Sequence, residues 1–320
     1  MALLITEVEV ERLLDMPTAM DVVEEVFGFQ GQGRAHNVPR RRAMGDTGTL
    51  HMMSAAISPL DSIGFKAYFT GPAGARIVVN LYSESSGELE AIIEADRLGQ
   101  IRTGAASGVS AKYLAREAAA SAAIIGSGYQ ARTQLEAIAL ARELSRVRVY
   151  SRDDRNRSGF AAEMSTRLGI EIEAVGDAES ACRDADIIVT ATSSSAPVLE
   201  GSWIAAGTHV VAMGANRIQS RELDDAAVAG FDLIAVDDVE QAKIESGDLS
   251  AAVENDDLDW DDVVHMGEIV AGSAPGRSSD EDTTLFKSLG VAIWDIAVAH
   301  RVYENARREG LGTEIPLFER

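Results

Sequence analysis

The chain has one cysteine in 320 residues, Cys182. That excludes an internal disulfide framework and a cysteine-rich metal site, and it suits a reducing, cytoplasmic compartment. Lysine is nearly as scarce. Lys66, Lys112, Lys243 and Lys287 are all there are, and arginine supplies the other positive charges. No apolar run reaches membrane-spanning length; the alanine-rich stretch 118–125 is too short, so no membrane partner is expected. Met1-Ala-Leu-Leu-Ile5 runs at once into acidic residues, which argues against a secretory leader. There is no low-complexity tract and no internal repeat. Net charge is −22. Phosphate backbones need a basic face, so nucleic acid is not an expected partner. An acidic surface with little lysine is what strong brine would screen, and a halophilic protein is one reading; a merely acidic soluble protein is the other.

What the chain does have is a glycine turn in the right place. In Ala122-Ala-Ile-Ile-Gly-Ser-Gly-Tyr-Gln-Ala131, four apolar residues end at Gly126, and Gly128 follows. A helical pattern then opens with Ala131, Leu135, Ile138 and Arg142 on one face. Strand, tight turn and helix form the phosphate-binding start of a dinucleotide fold. Gly126 permits the turn, Gly128 lets a pyrophosphate approach the backbone, and the helix N-terminus holds the anion. Apolar strands at 147–150, 170–175, 186–191, 208–213 and 232–236 follow at helix-length intervals. Such spacing predicts a parallel sheet with crossover helices.

The N-terminal part is patterned differently. A short strand and an amphipathic helix, with Leu13, Met20, Val23 and Phe27 near helical spacing, are expected over 1–30. Residues 31–60 are rich in Gly, Pro and Arg around Pro39-Arg-Arg-Arg42. Strand-like stretches at 64–70, 77–82 and 88–93, with a turn at 83–87, predict a meander rather than βαβ units. A helix is expected over 102–116 and a long terminal helix over 291–309, which would return to the first domain. The fold class is therefore α/β: a Rossmann-type parallel-sheet domain over 117–289, and a discontinuous α+β domain over 1–116 plus 290–320. The acidic run Asp256-Asp-Leu-Asp-Trp-Asp-Asp262 reads as a solvated loop and helix start rather than a metal site, since no glycine or closing glutamate has EF-hand spacing.

Several stretches, in this order, resemble the ornithine cyclodeaminase/mu-crystallin family nearly end to end. They are Gly64-Phe-Lys66, Arg102-Thr-Gly-Ala-Ala-Ser107, Gly126-Ser-Gly-Tyr-Gln-Ala131, Ala185-Asp-Ile-Ile-Val-Thr-Ala-Thr192, Gly207-Thr-His-Val-Val-Ala-Met-Gly-Ala215, Arg221-Glu-Leu223 and Phe286-Lys-Ser-Leu-Gly290. The family includes ornithine cyclodeaminases, archaeal alanine dehydrogenases, cyclic imine reductases and mu-crystallin, a ketimine reductase that also binds thyroid hormone. The resemblance implies a substrate and dimerisation domain completed by the C-terminal helix, a Rossmann domain, and a homodimer.

It also implies site residues. Lys66 corresponds to the family's active-site lysine, near the substrate carboxylate and the reacting nitrogen; an ammonium there can transfer a proton. The alternative is a lysine snorkelling from an edge strand, a reading weakened by how few lysines the chain keeps. Arg102 corresponds to the arginine that clamps the α-carboxylate, for which a planar fork is suited. Arg41 stands for a further substrate arginine, with the register open among Arg40, Arg41 and Arg42, and a surface basic cluster is the alternative. Met53 corresponds to a pocket-lining methionine, with core packing as the alternative. Thr103, Gly126, Gly128, Tyr129 and Gln130 fall near the cofactor phosphates, and Thr190, Ala191, Thr192, Met213 and Gly214 near the nicotinamide end. At the end of the second strand stand Ser151 and Arg152 rather than the acidic residue of an NAD enzyme. A serine and an arginine can hold a 2′-phosphate, so NADP(H) is favoured, with NAD(H) left open by Asp153 and Asp154 next to them.

Asn216 departs from the family. It occupies the place of an aspartate in ornithine cyclodeaminases and archaeal alanine dehydrogenases, and asparagine takes up no proton at neutral pH. An imine reductase needs less: hydride, a carboxylate clamp and one proton donor. The expectation is an NAD(P)H-dependent reductase of a small open or cyclic α-imino acid, such as pyrroline-2-carboxylate, or the reverse amino-acid dehydrogenase. Ornithine cyclodeaminase, an ammonia-lyase, is the alternative, and a cofactor-loaded binding protein without turnover the third.

Overall fold

The computed structural model describes residues 1–317. The chain divides into two compact units, one of residues 1–102 with 291–320 and the other of residues 103–290. The first begins with β1 (Ala2–Ile5), α1 (Glu7–Leu13) and α2 (Met16–Gly31). Asp15 caps α2 by accepting from the Thr18 amide at 3.0 Å, and Pro17 occupies the first turn, where its missing N–H costs nothing. Helix α2 buries Ala19, Val22, Val23, Val26 and Phe27 on one face. Leu13 belongs to α1 instead, because the chain breaks helical geometry at Leu14 and restarts at the Asp15 cap.

The Gly-, Pro- and Arg-rich segment forms a hairpin, β2 (Ala35–Met44) and β3 (Thr49–Ile57). Then come β4 (Ser62–Gly71), β5 (Gly74–Ser83) and β6 (Leu89–Glu94). Helix α3 (Asp96–Leu114) starts two turns earlier than expected and carries the division between the units, after Arg102.

The second unit holds β7 (Ser121–Ile125), α4 (Tyr129–Ala141), β8 (Arg146–Tyr150), α5 (Asp154–Leu168), β9 (Ile172–Ala174), α6 (Ala178–Cys182), β10 (Ile187–Thr190) and β11 (His209–Ala212). It continues with α7 (Asp225–Ala229), β12 (Leu233–Val236), α8 (Val239–Glu245), α9 (Gly247–Glu254), β13 (Val263–His265), α10 (Met266–Val270) and β14 (Thr284–Lys287). Its eight strands are all parallel, in the order β13-β12-β14-β11-β10-β7-β8-β9. β13 and β14 were not expected. Each is only three or four residues long, too short to show a period. The order reverses between β7 and β10, and ligands of open α/β sheets bind at the carboxyl ends of strands at such a point. This is the Rossmann-type sheet that the strand spacing predicts.

The chain then returns to the first unit as α11 (Ala292–Glu309), ended by Gly310 at φ +66°, and β15 (Thr313–Ile315). The mixed sheet there runs β15-β1-β6-β5-β4-β3-β2, with β1 parallel to β6 and the other pairs antiparallel. Helix α11 packs across one face of it and against α2. Trp294 and Phe27 meet edge to face at 5.3 Å, an arrangement worth about 0.5–1.5 kcal/mol beyond the area it buries. The acidic run 256–262 is surface loop, with Asp259 capping a single turn of 3-10 helix at Trp260–Asp262.

Candidate active site

Within the first unit Lys66, Met53 and Arg102, three of the expected substrate residues, gather on the side of the sheet that α11 covers. On β4 and β3, Lys66 pairs with Met53 and Tyr68 with His51. Cross-strand partners project to the same side, so these four side chains share a face. Lys66 and Met53 are buried, as is His51, which stacks on Tyr68 at 4.2 Å. From α11, Asp295 reaches down to this face. Its Oδ1 accepts from Lys66 Nζ at 3.0 Å and from Arg102 Nε at 2.9 Å. Arg102 also lies over the Trp294 ring, and its Nη1 is buried with no hydrogen-bond partner among the described residues.

Of the three consecutive arginines on β2, the buried one is Arg40, not Arg41. Arg40 is 4% exposed, whereas Arg41 lies open to solvent. The cause is a bulge: the β2–β3 register shifts between Val38 and Arg41, where Pro39 can donate no ladder hydrogen bond. After the bulge, Arg41 pairs with outward-facing Met52, and Arg40 is turned to the buried side.

These charges act on one another. Burial pulls the Lys66 ammonium down to about 8, Asp295 opposes that, and Arg102 and Arg40 reinforce it. Burial alone would raise the Asp295 carboxyl, but Arg102 and Lys66 hold it below the usual carboxylate range. The cluster thus joins a carboxylate held in its charged form, two guanidinium groups and an amine whose affinity for its proton is lowered.

In the second unit the glycine turn has the form a pyrophosphate cradle needs. Gly126 takes φ +112°, and a Cβ on it would lie 2.3 Å from the Ala191 carbonyl oxygen. No substituted residue fits there. Gly128 caps α4 with open space where a Cβ would stand. Tyr129 and Gln130 form the first turn of α4, and Ala131, Leu135 and Ile138 are buried beneath it. Arg142 ends that face differently: it caps the helix and donates to the carbonyls of Lys112, Ala115 and Arg116. Thr103 lies on α3, buried.

Beyond β8, Ser151 accepts from Ser127 Oγ at 2.8 Å, and Arg152 is exposed. The two carboxylates that follow are engaged. Asp153 caps α5 through the Asn156 amide, and Asp154 pairs with Arg157 at 2.8 Å.

At the other side of the switch point, one buried carboxylate ties the strand ends together. Glu222 accepts from Thr190 Oγ1 at 2.9 Å, from the Thr192 amide and hydroxyl at 2.8 and 2.7 Å, and from the Gly214 amide at 2.6 Å. Ala191 and Met213 complete these two strand ends, and half-buried Asn216 sits on the loop between Gly214 and Glu222. Glu222 carries no role in the sequence reading beyond its place in a motif. Asp295 and His51 have no place in it at all. The only signal for Asp295 was an acid inside an otherwise apolar helical face.

The sequence pattern of the ornithine cyclodeaminase/mu-crystallin family matches residues 1–310. The chain belongs to that family. Alanine dehydrogenase of Archaeoglobus fulgidus is 36% identical over 99% of this chain and 98% of its own. Among solved structures, the pyrroline-2-carboxylate reductase of Thermococcus litoralis, in complex with NADH and L-proline, superposes with a TM-score of 0.93 at 34% identity, covering 98% of this chain and 100% of that one. An archaeal alanine dehydrogenase dimer with bound NAD gives a TM-score of 0.93 at 35% identity, over 99% of both chains. The resemblance read from the motifs is thereby confirmed.

Proposed function

We propose that this chain is an NAD(P)H-dependent reductase of a small α-imino acid, open or cyclic, which runs in reverse as an amino-acid dehydrogenase. The observation that carries the reading is the unpartnered Nη1 edge of Arg102 beside the Lys66 ammonium, joined through Asp295. A relative of the same fold is known with NADH and L-proline, the product such a site would make.

Arg102, with Arg40 adding charge, binds the substrate carboxylate and fixes its orientation. Lys66 donates its proton to the imine nitrogen and is recharged from solvent. Trp294, Met53 and the stacked His51–Tyr68 pair give the site dry walls. A bound dinucleotide supplies the hydride that goes to the imine carbon. The residues present suit that group: Gly126 permits the turn, Gly128 leaves the backbone open, and α4 begins at the same turn. Asn216 supplies hydrogen bonds but no proton, which fits a reductase better than a cyclodeaminase.

NADP(H) is the preferred cofactor in this reading, because Asp153 and Asp154 are already committed and leave Ser151 and Arg152 at the end of β8. The units serve as substrate and dimerisation domain and as cofactor domain. The working form is a homodimer: Leu50, Met52, Ile63, Phe69 and Val78 project from the outward face of the first unit's sheet, between 36% and 46% exposed. No helix among the described residues is long and apolar enough to cross a membrane. We place the enzyme in the cytoplasm, in salt-rich solvent.

The test is steady-state oxidation of NADPH and NADH with pyrroline-2-carboxylate, and with pyruvate plus ammonia. Turnover to the amino acid is expected. Ornithine consumed with release of ammonia and no net cofactor oxidation would overturn the assignment.

A further inference from the structure

One carboxylate oxygen serves two cations. Asp295 Oδ1 accepts both from Lys66 Nζ and from Arg102 Nε, and the three residues come from α11, β4 and α3. Asp295 is wholly buried, and its second oxygen, Oδ2, meets no hydrogen-bond donor among the described residues. Were the carboxylate there only for stability, one cation on each oxygen would satisfy more of its capacity. What the observed arrangement does fix is the separation of the two cations, each within 3.0 Å of the same atom. Without the shared anion, the ammonium and guanidinium would repel and spread apart.

We propose that Asp295 is the positioning residue of this site: its Oδ1 holds the proton donor Lys66 and the carboxylate clamp Arg102 in one fixed relation, and its charge keeps Lys66 in the ammonium form that protonates the imine. The proposal rests on the reductase reading above. Its physical content is a balance of named groups. Facing Lys66 are Asp295 from α11, Arg102 from α3, Arg40 from β2 and, on its own strand, the Tyr68 ring at 5.6 Å. A single anion works against burial and two guanidinium groups. On α3, a Cβ at Gly99 would stand 3.3 Å from Nζ, so the backbone comes close without adding a side chain. In Asp295→Asn the lysine gives up its proton at lower pH, and Arg102 loses its anchor.

The scarcity of lysine makes this measurable without turnover. The full chain is labelled with lysine carrying carbon-13 at Cε, and the Lys66 resonance is assigned by its loss in Lys66→Met. In the wild type its titration midpoint is expected at about 8. In Asp295→Asn it falls by about one pH unit or more, as loss of an opposite charge at this range does. The alkaline limb of kcat falls with it, and KM for the imino acid rises roughly tenfold. A carboxylate needed only for folding would lower the melting temperature and leave both midpoint and limb in place; that result overturns the proposal. Asp295→Glu keeps the charge and displaces it, so the midpoint stays close to wild type while KM rises. Should Asp295→Asn not fold, an unchanged KM in Asp295→Glu overturns the proposal by itself. If wild-type protein reduces no imino acid with either cofactor, the reductase reading fails, and the lysine titration still decides the role of Asp295.

Discussion

Lys287 Nζ lies 2.9 Å from the Asp248 carboxylate, and neither side chain has any exposed surface. The same nitrogen donates to the Ala215 carbonyl at 2.7 Å, and the other oxygen of Asp248 accepts from the Glu222 and Leu223 amides. Glu222 in turn holds Thr190, Thr192 and Gly214. A chain of buried charges therefore ties the carboxyl ends of β10, β11 and β14 to the loop that carries Asn216.

Breaking this chain at one end should cost more than removing the whole pair. Lys287→Met leaves Asp248 buried and uncompensated, and about 3–5 kcal/mol of stability should be lost. Lys287→Met combined with Asp248→Leu should recover much of it. Denaturant unfolding of the single and double variants measures the difference; additive losses would contradict it.

Glu222→Gln places an amide NH₂ where a carboxylate oxygen meets donors. At least one of its four hydrogen bonds becomes a donor–donor clash. Dinucleotide affinity should fall about tenfold or more, at roughly 1.4 kcal/mol per decade. Calorimetric titration with NADPH and NADH reports it, and an unaltered Kd would show that the strand ends do not depend on this carboxylate.

Arg40→Gln and Arg41→Gln should behave differently although the residues are neighbours. Arg40 is buried beside Lys66, so its loss should raise KM for the imino acid about tenfold and move the Lys66 titration upward, because one of the groups lowering it is gone. Arg41 points outward, and its replacement should leave KM within twofold. Equal effects would mean that the bulge at Pro39–Arg40 is not where the structure puts it.

Arg152→Asp should convert cofactor choice. A carboxylate beside Ser151 repels a 2′-phosphate and accepts from ribose hydroxyls, so the ratio of kcat/KM for NADPH over NADH should fall by about 100-fold or more. A preference for NADH in the wild type would reject the NADP(H) assignment at once.

Acid should act on the second unit through His209. Burial lowers this imidazole to about 3, with Arg277 and Arg142 adding to the effect. It stays neutral between the Ser110 and Thr284 hydroxyls, whereas the unfolded chain takes up a proton below about 6.5. The folded pKa is the depressed one, so this contribution is fully present above pH 6.5 and is lost as pH falls toward 3, at about 1.4 kcal/mol per unit. Between pH 7 and pH 5, wild type should lose about 2 kcal/mol more than His209→Gln in urea unfolding.

The parts of the fold legible in the sequence were those set by local pattern. The turn from Gly126 to Gly128 could be read because only glycine tolerates φ +112° with a carbonyl 2.3 Å from its missing Cβ. The strands at β7, β10, β11 and β12 could be read because strands buried on both faces are nearly continuous apolar runs, and β8 because Val147 and Val149 alternate with arginines. The β2–β3 hairpin could not. Exposed Val38, Leu50 and Met52 blur the alternation of its two faces, and Pro39 and the glycines interrupt the pattern, so pairing with β4 is what completes it.

By itself the sequence determined the family and the glycine turn and singled out Lys66 and Arg102 of the proposed site, because these are matters of residue type at a place in the chain. Only the tertiary structure decided which arginine joins them and what binds them together. Arg40 turns inward because of a bulge, and Asp295 meets Lys66 from 229 residues away. Contacts across that distance depend on how a helix lands on a sheet, and no local period encodes the landing.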